Sequence, residues 1–399
     1  MLRRIAIVGA SLAGLRAAET LRARGFDGEL TLIGEEPHRP YDRPPLSKQL
    51  LQGALEPEDT FFRRKDGYDA LSLDMRLGVR ASSVDLRLRR VVLADGTFTE
   101  YDRLIIATGA RPRTLPGIAP RAGLLVLRSL DDAIALRREL LNASRIAIVG
   151  AGFIGLEVAA SCRARGLHVT MIEALPLPLF PILPPALCEM VAAMHRDHGV
   201  DLRTGVTVTG AIGESRVAGL ALSDGSRIDA DVVVVGIGVV PNTEWLVPSG
   251  LTLDNGIVCD GSGQAAPGVY AAGDVARVTN QWYGSSPRIE HWTNAVEQGV
   301  HAAENALAGP EASTSFSSVP YFWSDQYDRK IQFVGLARGH DEMVVVDGSL
   351  ADRRLTALFR RGDRLVACLA VNQPRALINY RKLLAAGASW EAALSGRHT

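Results

Sequence analysis

A continuous apolar run, "IAIV" at 5–8, leads straight into the turn "GASLAG" and then a helical stretch, "LRAAETLRARGF". A second strand, "ELTLIGEE", follows and ends in acids. A short apolar run bounded by turn residues reads as a strand buried on both faces, and the whole unit as strand, turn, helix, strand. The pattern then repeats. "IAIVGA" recurs at 146–151 and "RARG" at 163–166, with the same offset of 141 residues at both ends of the unit (9 to 150 and 22 to 163). The second copy runs "GAGFIG", "LEVAASCRARGL" and "HVTMIE". Elsewhere, "LIIATGARPR" at 104–113 predicts a buried strand entering a Gly/Pro-rich connection, and "GPEASTSFSSVP" at 309–320 predicts a linker. In "RPYDRPPLSK", Pro40, Pro44 and Pro45 predict a rigid extended piece, until Ser47 caps a helix.

"GASLAG" admits two chemistries. As G-x-G-x-x-G it is a phosphate-binding turn whose second glycine is Ser11. As G-x-S-x-G it is a nucleophile elbow with Ser11 as a hydrolase nucleophile. The repeat decides between them, because the second copy is a complete G-x-G-x-x-G at Gly150, Gly152 and Gly155, with Gly152 standing where Ser11 does. Both copies also end in an acid, Glu35 or Glu173, roughly 20 residues past the turn, where a carboxylate accepts hydrogen bonds from an adenosine ribose. An elbow serine at residue 11 leaves no room for the sheet that must precede it. The expectation is two dinucleotide modules in one chain, and FAD with a nicotinamide cofactor is the natural pair.

Composition narrows the function. The 399 residues exceed a single core, so two or three domains are expected. Lys plus Arg equals Asp plus Glu at 44 each, which argues against broad nucleic-acid binding. The longest apolar run, "VVVVGIGVV" at 232–240, is about half a membrane span. Four cysteines (Cys162, Cys188, Cys259, Cys368) show neither C-x-x-C spacing nor a metal-ligand cluster, so a reducing compartment, the cytoplasm, is expected. No thiol precedes residue 162. Between Glu173 and Arg196 there is no Lys or Arg, so NADH rather than NADPH is expected.

The chain resembles the FAD-dependent ferredoxin reductases that feed Rieske-type dioxygenases and bacterial haem-thiolate monooxygenases, within the pyridine-nucleotide–disulfide oxidoreductase fold. Seven blocks in order carry the resemblance: "RPYDRPPLSK", "LIIATGARPR", "GAGFIGLEVAA", "GVVPN", "GVYAAGDVA", "RIEHWTNAVEQG" and "YFWSDQYDRKIQFVGL". It implies an α/β chain with two Rossmann-like domains, for FAD at 1–110 and 240–312 and for NADH at 111–239, and a smaller C-terminal α/β domain at 313–399. Disulfide reductases of this fold carry a cysteine pair early in the FAD domain, and peroxidase relatives a single cysteine. Lacking both, this chain must pass electrons directly from flavin.

The resemblance also implies roles for residues. Gly9, Ser11, Gly14 and Arg43 approach the FAD phosphates, Glu35 the ribose, and Asp274 the ribityl chain, a role compatible with the plainer reading of Asp274 as a helix N-cap before "VARV". Thr108, Gly109, Glu290, His291 and Trp292 are further FAD contacts, with His291 more structural than catalytic. Gly150, Gly152, Ile154, Gly155, Glu173 and Gly238 serve NADH. Lys48 paired with Glu157, and Trp323, stand beside the flavin as the catalytic candidates. The expected product is a reductase taking hydride from NADH and passing single electrons to an acidic [2Fe–2S] ferredoxin, as a monomer or weak homodimer. Candidates for a basic docking surface are Arg63, Arg64, Lys65, Arg329, Lys330, Arg381 and Lys382. The alternatives are a reductase of rubredoxin, a quinone or monodehydroascorbate, or a binding flavoprotein of the apoptosis-inducing-factor type.

Overall fold

The computed structural model describes residues 2–62, 65–180 and 182–395. The chain forms two compact units: Met1–Asp42, Phe61–Arg111 and Val240–Pro320 make the first, and Arg43–Thr60, Pro112–Val239 and Tyr321–Thr399 the second.

In the first unit, "RIAIV" forms the strand Arg4–Val8, paired in parallel with Glu29–Gly34 on one side and Arg103–Ile106 on the other. Its apolar residues are buried on both faces, as the continuous apolar run requires. The six-stranded sheet has the order Gln264–Ala266, Val269–Ala271, Arg103–Ile106, Arg4–Val8, Glu29–Gly34, Asp74–Leu77. The helix Leu12–Ala23 packs on Trp292–Ala308 through small residues. A Cβ at Gly299 would lie 2.5 Å from the carbonyl oxygen of Ala13, so only glycine allows the two helices this close.

The second unit repeats the arrangement. Arg145–Val149 pairs in parallel with His168–Glu173 and Val232–Val235, the latter being the first half of the longest apolar run. Its five-stranded sheet has the order Val200–Thr204, His168–Glu173, Arg145–Val149, Val232–Val235, Leu124–Val126. Next comes an antiparallel sheet, Tyr321–Gln326, Arg329–Gly335, Arg364–Val371, Arg354–Arg361, Glu342–Ser349, with the helices Pro374–Ala385 and Trp390–Ser395. Ile331, Phe333 and Leu369 of this sheet share one core with Leu156, Val158 and Met194. Residues 111–239 and 313–399, expected as separate domains, therefore pack together from residue 321 onward.

Residues 43–60 also belong to the second unit rather than staying with 1–110. Leu51 is fully buried in its core, and the Arg165 guanidinium donates to the Leu51 carbonyl at 2.8 Å. The proline-rich piece is not extended up to Ser47. Pro44–Ser47 is a 3₁₀ turn followed by the short helix Gln49–Gln52, because Pro44 and Pro45 occupy its first two positions, where a fixed φ suits a helical turn and no N–H is missed. Among the described residues, no helix is long and apolar enough to cross a membrane.

Candidate functional site

Each unit offers a helix N-terminus reached through a glycine turn. In the first, Gly9 has φ +122°, and a Cβ there would lie 2.0 Å from the Ala107 carbonyl oxygen. A Cβ at Gly14 would lie 1.9 Å from the oxygen of Gly9, so the first helical turn rests directly on the strand end. Ser11 sits at the N-cap with φ −117°, the negative value a serine needs, and its hydroxyl does not cap the helix. In the second unit Gly150 and Gly155 repeat the contacts, at 2.3 Å from the Gly236 oxygen and 2.1 Å from the Gly150 oxygen. Gly152 differs: a Cβ there meets nothing within 4 Å, and its φ of −76° suits any residue. Glycine at 152 therefore serves open space in front of the turn. Neither helix has an acid in its first turn or a side-chain cap. Uncapped amides at a positive helix end fit a pyrophosphate, so both turns suit a dinucleotide.

The terminal acids sit differently. Glu173 is tied to its own turn: one oxygen accepts the Ala151 N–H at 2.7 Å and the other the Leu175 N–H at 2.9 Å. Glu35 is exposed, with Arg80 at 3.9 Å, an arrangement of little energetic weight. Ile154, in the first turn of the second helix, is 48% exposed, unusual for so apolar a side chain. Gly238 has φ +93° and accepts the Arg113 N–H at 2.9 Å.

The remaining first-unit candidates fall into two groups. Thr108 and Asn242 exchange hydrogen bonds at 3.0 and 2.8 Å, and the Asn242 N–H donates to the Gly109 carbonyl at 3.0 Å. Asp274 lies in the 3₁₀ turn Gly273–Val275, followed by the strand Ala276–Val278, so "VARV" offers no helix to cap. Arg288 bridges the Asp274 carbonyl and the Glu290 carboxylate, at 3.2 and 2.6 Å. Next in sequence, His291 is the N-cap of Trp292–Ala308, and burial pushes its pKa down to about 4. The Trp292 indole N–H donates to Asp42 at 2.7 Å.

The second unit builds a buried polar cluster. The Lys48 ammonium lies 3.0 Å from Glu157 Oε2, with only 10% and 4% of the two side chains exposed. Ser47 donates to the same oxygen at 2.5 Å, and Ser324 donates to Glu157 Oε1 at 2.8 Å. The Ser161 hydroxyl donates to the Ser47 carbonyl at 2.7 Å, fixing the turn that carries Lys48. Sequence reasoning paired Lys48 with Glu157 but missed Ser47 as a donor and Ser324 altogether. A signal was present: in "YFWSDQ" the polar residues Ser324 and Gln326 alternate with Trp323 and Asp325, so period-two pleating puts both on one face, and that face is the buried one. Trp323 lies on the opposite face, half-buried, its ring stacked with Tyr321 at 5.9 Å. The Arg43 guanidinium donates to the Arg128 carbonyl at 2.5 Å.

Among the described residues, the candidate basic side chains lie at two ends of one strand. Arg63 and Arg64 lie outside the described residues, as does the Lys65 side chain. Arg329 and Lys330 neighbour Asp328 and Asp325 at 3.5 and 4.0 Å, at the hairpin end of the strand Tyr321–Gln326. Arg381 lies over the Tyr321 ring, 5.5 Å from its centroid, at the other end, beside Lys382 in the chain.

Comparison with known proteins adds the family. Residues 3–299 match the pyridine nucleotide-disulphide oxidoreductase model, and residues 321–396 the reductase C-terminal model. Putidaredoxin reductase CamA of Pseudomonas putida is 37% identical over 378 residues, covering 93% of this chain and 89% of its own. The anthranilate 1,2-dioxygenase system ferredoxin–NAD(+) reductase component of Burkholderia cepacia is 41% identical over 391 residues, 96% of this chain and 94% of its own. The solved covalent putidaredoxin reductase–putidaredoxin complex superposes with a TM-score of 0.92 at 35% identity, over 96% of this chain and 93% of that one. With the paired glycine turns, these matches place this chain in the pyridine nucleotide-disulphide oxidoreductase family, among its members that carry a reductase C-terminal domain.

Proposed function

We propose that this chain is a flavoprotein reductase that oxidises NADH and passes electrons singly to a [2Fe–2S] ferredoxin serving an oxygenase. The observation that carries it is the pair of uncapped glycine turns in one chain, with no thiol before residue 162 to receive electrons. The relatives named for putidaredoxin and for a dioxygenase ferredoxin support the partner class. FAD, when bound, exchanges a two-electron donor for a one-electron acceptor.

The residues divide the work by their chemistry. Gly9, Ser11 and Gly14 present helix amides to the FAD pyrophosphate, with Arg43 a further cation for it and Glu35 an acceptor for its ribose. Thr108, Gly109, Asp274, Glu290, His291 and Trp292 complete the FAD site. The FAD domain is the first unit, 1–42, 61–111 and 240–320, and the second unit holds the NADH domain, 112–239, and the smaller C-terminal domain, 321–399, together with 43–60. Gly150, Gly152 and Gly155 receive the NADH pyrophosphate, Ile154 and Gly238 line its path, and the fixed Glu173 carboxylate accepts from a free 2′-hydroxyl and repels a 2′-phosphate. Lys48, held by Glu157, offers a positioned ammonium to the flavin's N5 edge, and Trp323 an aromatic face. Removing one partner of such a buried pair typically costs about 3–5 kcal/mol. Arg329, Lys330, Arg381 and Lys382 contribute to docking an acidic ferredoxin. Four buried, unbridged cysteines support a reducing compartment, the cytoplasm.

The test is a stopped-flow experiment mixing the FAD-loaded protein with NADH and [2Fe–2S] ferredoxins from neighbouring genes. Flavin bleaching followed by ferredoxin reduction is expected. Bleaching without reduction of any ferredoxin refutes the partner class, and reduction of rubredoxin or a quinone instead replaces it.

A further inference from the structure

The Lys48–Glu157 pair is the end of a longer buried chain of hydrogen bonds, all within the second unit. Beyond Ser324, the Gln326 amide lies 3.0 Å from the Ser324 hydroxyl through Nε2. Gln326 Oε1 faces His195 Nε2 at 3.0 Å, and His195 Nδ1 faces the Tyr327 hydroxyl at 3.0 Å. Ser324, Gln326 and His195 are each 0% exposed. Tyr327 is fixed by stacking on His198, with ring centroids 3.6 Å apart and planes at 12°.

The direction of the chain follows from the chemistry of its groups. Glu157 only accepts, so Ser324 donates its one proton to Oε1. Ser324 oxygen then accepts from the Gln326 NH₂, which turns the Gln326 carbonyl toward His195. A carbonyl only accepts, so His195 carries its proton on Nε2 and leaves Nδ1 to accept from Tyr327. Burial pushes the His195 pKa down to about 4, so the ring is neutral and has one proton to place. Burial also raises the Tyr327 pKa, so its hydroxyl keeps the proton it donates. Every donor from Tyr327 to Ser324 points toward Glu157. The opposite tautomer reverses the set: Gln326 turns over, its oxygen takes the Ser324 proton, and Glu157 Oε1 loses its donor.

We infer that His195, Gln326 and Ser324 are positioning residues that act through Glu157 on the Lys48 ammonium, the imidazole tautomer setting which way the Ser324 proton points. All four residues beyond Glu157 lie outside the glycine turns, and two, Ser324 and Gln326, come from the strand that also carries Trp323. This inference rests on the reading that the Lys48–Glu157 pair serves the flavin. Without the Ser324 donor, the Glu157 charge is less dispersed and offsets more of the ammonium, so the flavin surroundings become less positive and reduction less favourable.

The test is the midpoint potential of the bound flavin, measured by dye equilibration on FAD-loaded protein, for Ser324→Ala, His195→Leu, the double variant, His195→Gln and Glu157→Gln. Ser324→Ala and His195→Leu are expected to shift the reduction equilibrium at least threefold toward the oxidised form. The double variant should shift it no further than the larger single one, because both break one chain. His195→Gln keeps a donor near the position of Nε2 and should stay within twofold of wild type. Glu157→Gln should shift it the other way. If Glu157→Gln moves the potential while Ser324→Ala and His195→Leu do not, the chain is only structural and the inference is overturned, with the pair reading intact. If Glu157→Gln also leaves the potential unchanged, the pair reading fails and the inference with it. Ser324→Ala removes a single hydroxyl, and carries the test if His195→Leu does not accumulate as folded protein.

Discussion

Two glycines three residues apart should respond to alanine in opposite ways. At Gly155 the added methyl would sit 2.1 Å from the Gly150 carbonyl oxygen, which is backbone and cannot swing aside. Ordinary contact needs about 3.4 Å or more, so the helix Phe153–Ala164 must lift by more than an ångström from the strand it rests on. That helix buries Leu156, Val158, Ala159 and Cys162 completely, so lifting it loosens a packed core. Overpacking of this kind costs typically about 1–3 kcal/mol, and about 2 kcal/mol in a unit of this size lowers the melting midpoint by about 4–8 °C. At Gly152 nothing lies within 4 Å of the added methyl and φ is already −76°. Gly152→Ala should leave stability unchanged or raise it by about 0.4–1 kcal/mol through the unfolded chain. Its cost should fall on NADH, whose pyrophosphate needs the space the methyl takes, with binding weakened about tenfold, or about 1.4 kcal/mol. The assay is thermal unfolding of both variants without NADH, paired with NADH titration of the flavoprotein. A Gly155→Ala midpoint within 1 °C of wild type, or wild-type NADH affinity in Gly152→Ala, refutes the reasoning.

Glu173→Ala removes the carboxylate that accepts from Ala151 and Leu175, and should lower the ratio of kcat/KM for NADH over NADPH at least tenfold; an unchanged ratio places coenzyme choice elsewhere. His195 and His291 have folded pKa values pushed by burial to about 4, below the usual 6.5. Between those values the unfolded chain binds more protons, so each contribution is complete above pH 6.5 and is lost as pH falls toward 4, at up to about 1.4 kcal/mol per pH unit. Urea unfolding across that window should show a shallower pH slope for His195→Gln than for wild type, and parallel slopes count against a buried neutral imidazole. All four cysteines are buried, with Cys162 and Cys259 pushed up to about 12 and Cys188 to about 11 by burial. Native protein should therefore resist iodoacetamide without loss of turnover, and fast alkylation that stops electron transfer would return a thiol to the mechanism.

The glycine turns and their strands were legible in the sequence because each depends on short-range pattern or on a repeat, whereas the Lys48–Glu157 pair, 109 residues apart, came only from the family resemblance. A strand buried on both faces announces itself as a continuous apolar run, and an offset of 141 residues is visible without any fold. What sequence hid was long-range. Residues 43–60 sit next to residue 42 in the chain, yet their burial is decided by Arg165 and the core around Leu51, more than a hundred residues away. His195 carries no signal in the sequence; only the fold places it in the last turn of the helix Pro185–Asp197, facing Gln326. The alternative reading of Asp274 as a helix cap fails for a local reason: "ARV" pairs in parallel with Ile257–Cys259, and sheet pairing overrode the capping pattern.

The chain passes between its two units five times, at 42, 60, 111, 239 and 320. During synthesis, then, neither unit can be finished early. Arg103–Ile106 reaches its inner neighbour Arg4–Val8 at once, but its other neighbour, Val269–Ala271, emerges some 160 residues later. Until then that strand presents one open, apolar hydrogen-bonding edge, the kind that pairs with other nascent chains. Expression at low temperature or with a holdase chaperone should therefore raise yield more for this protein than for one whose units are each a single run of chain.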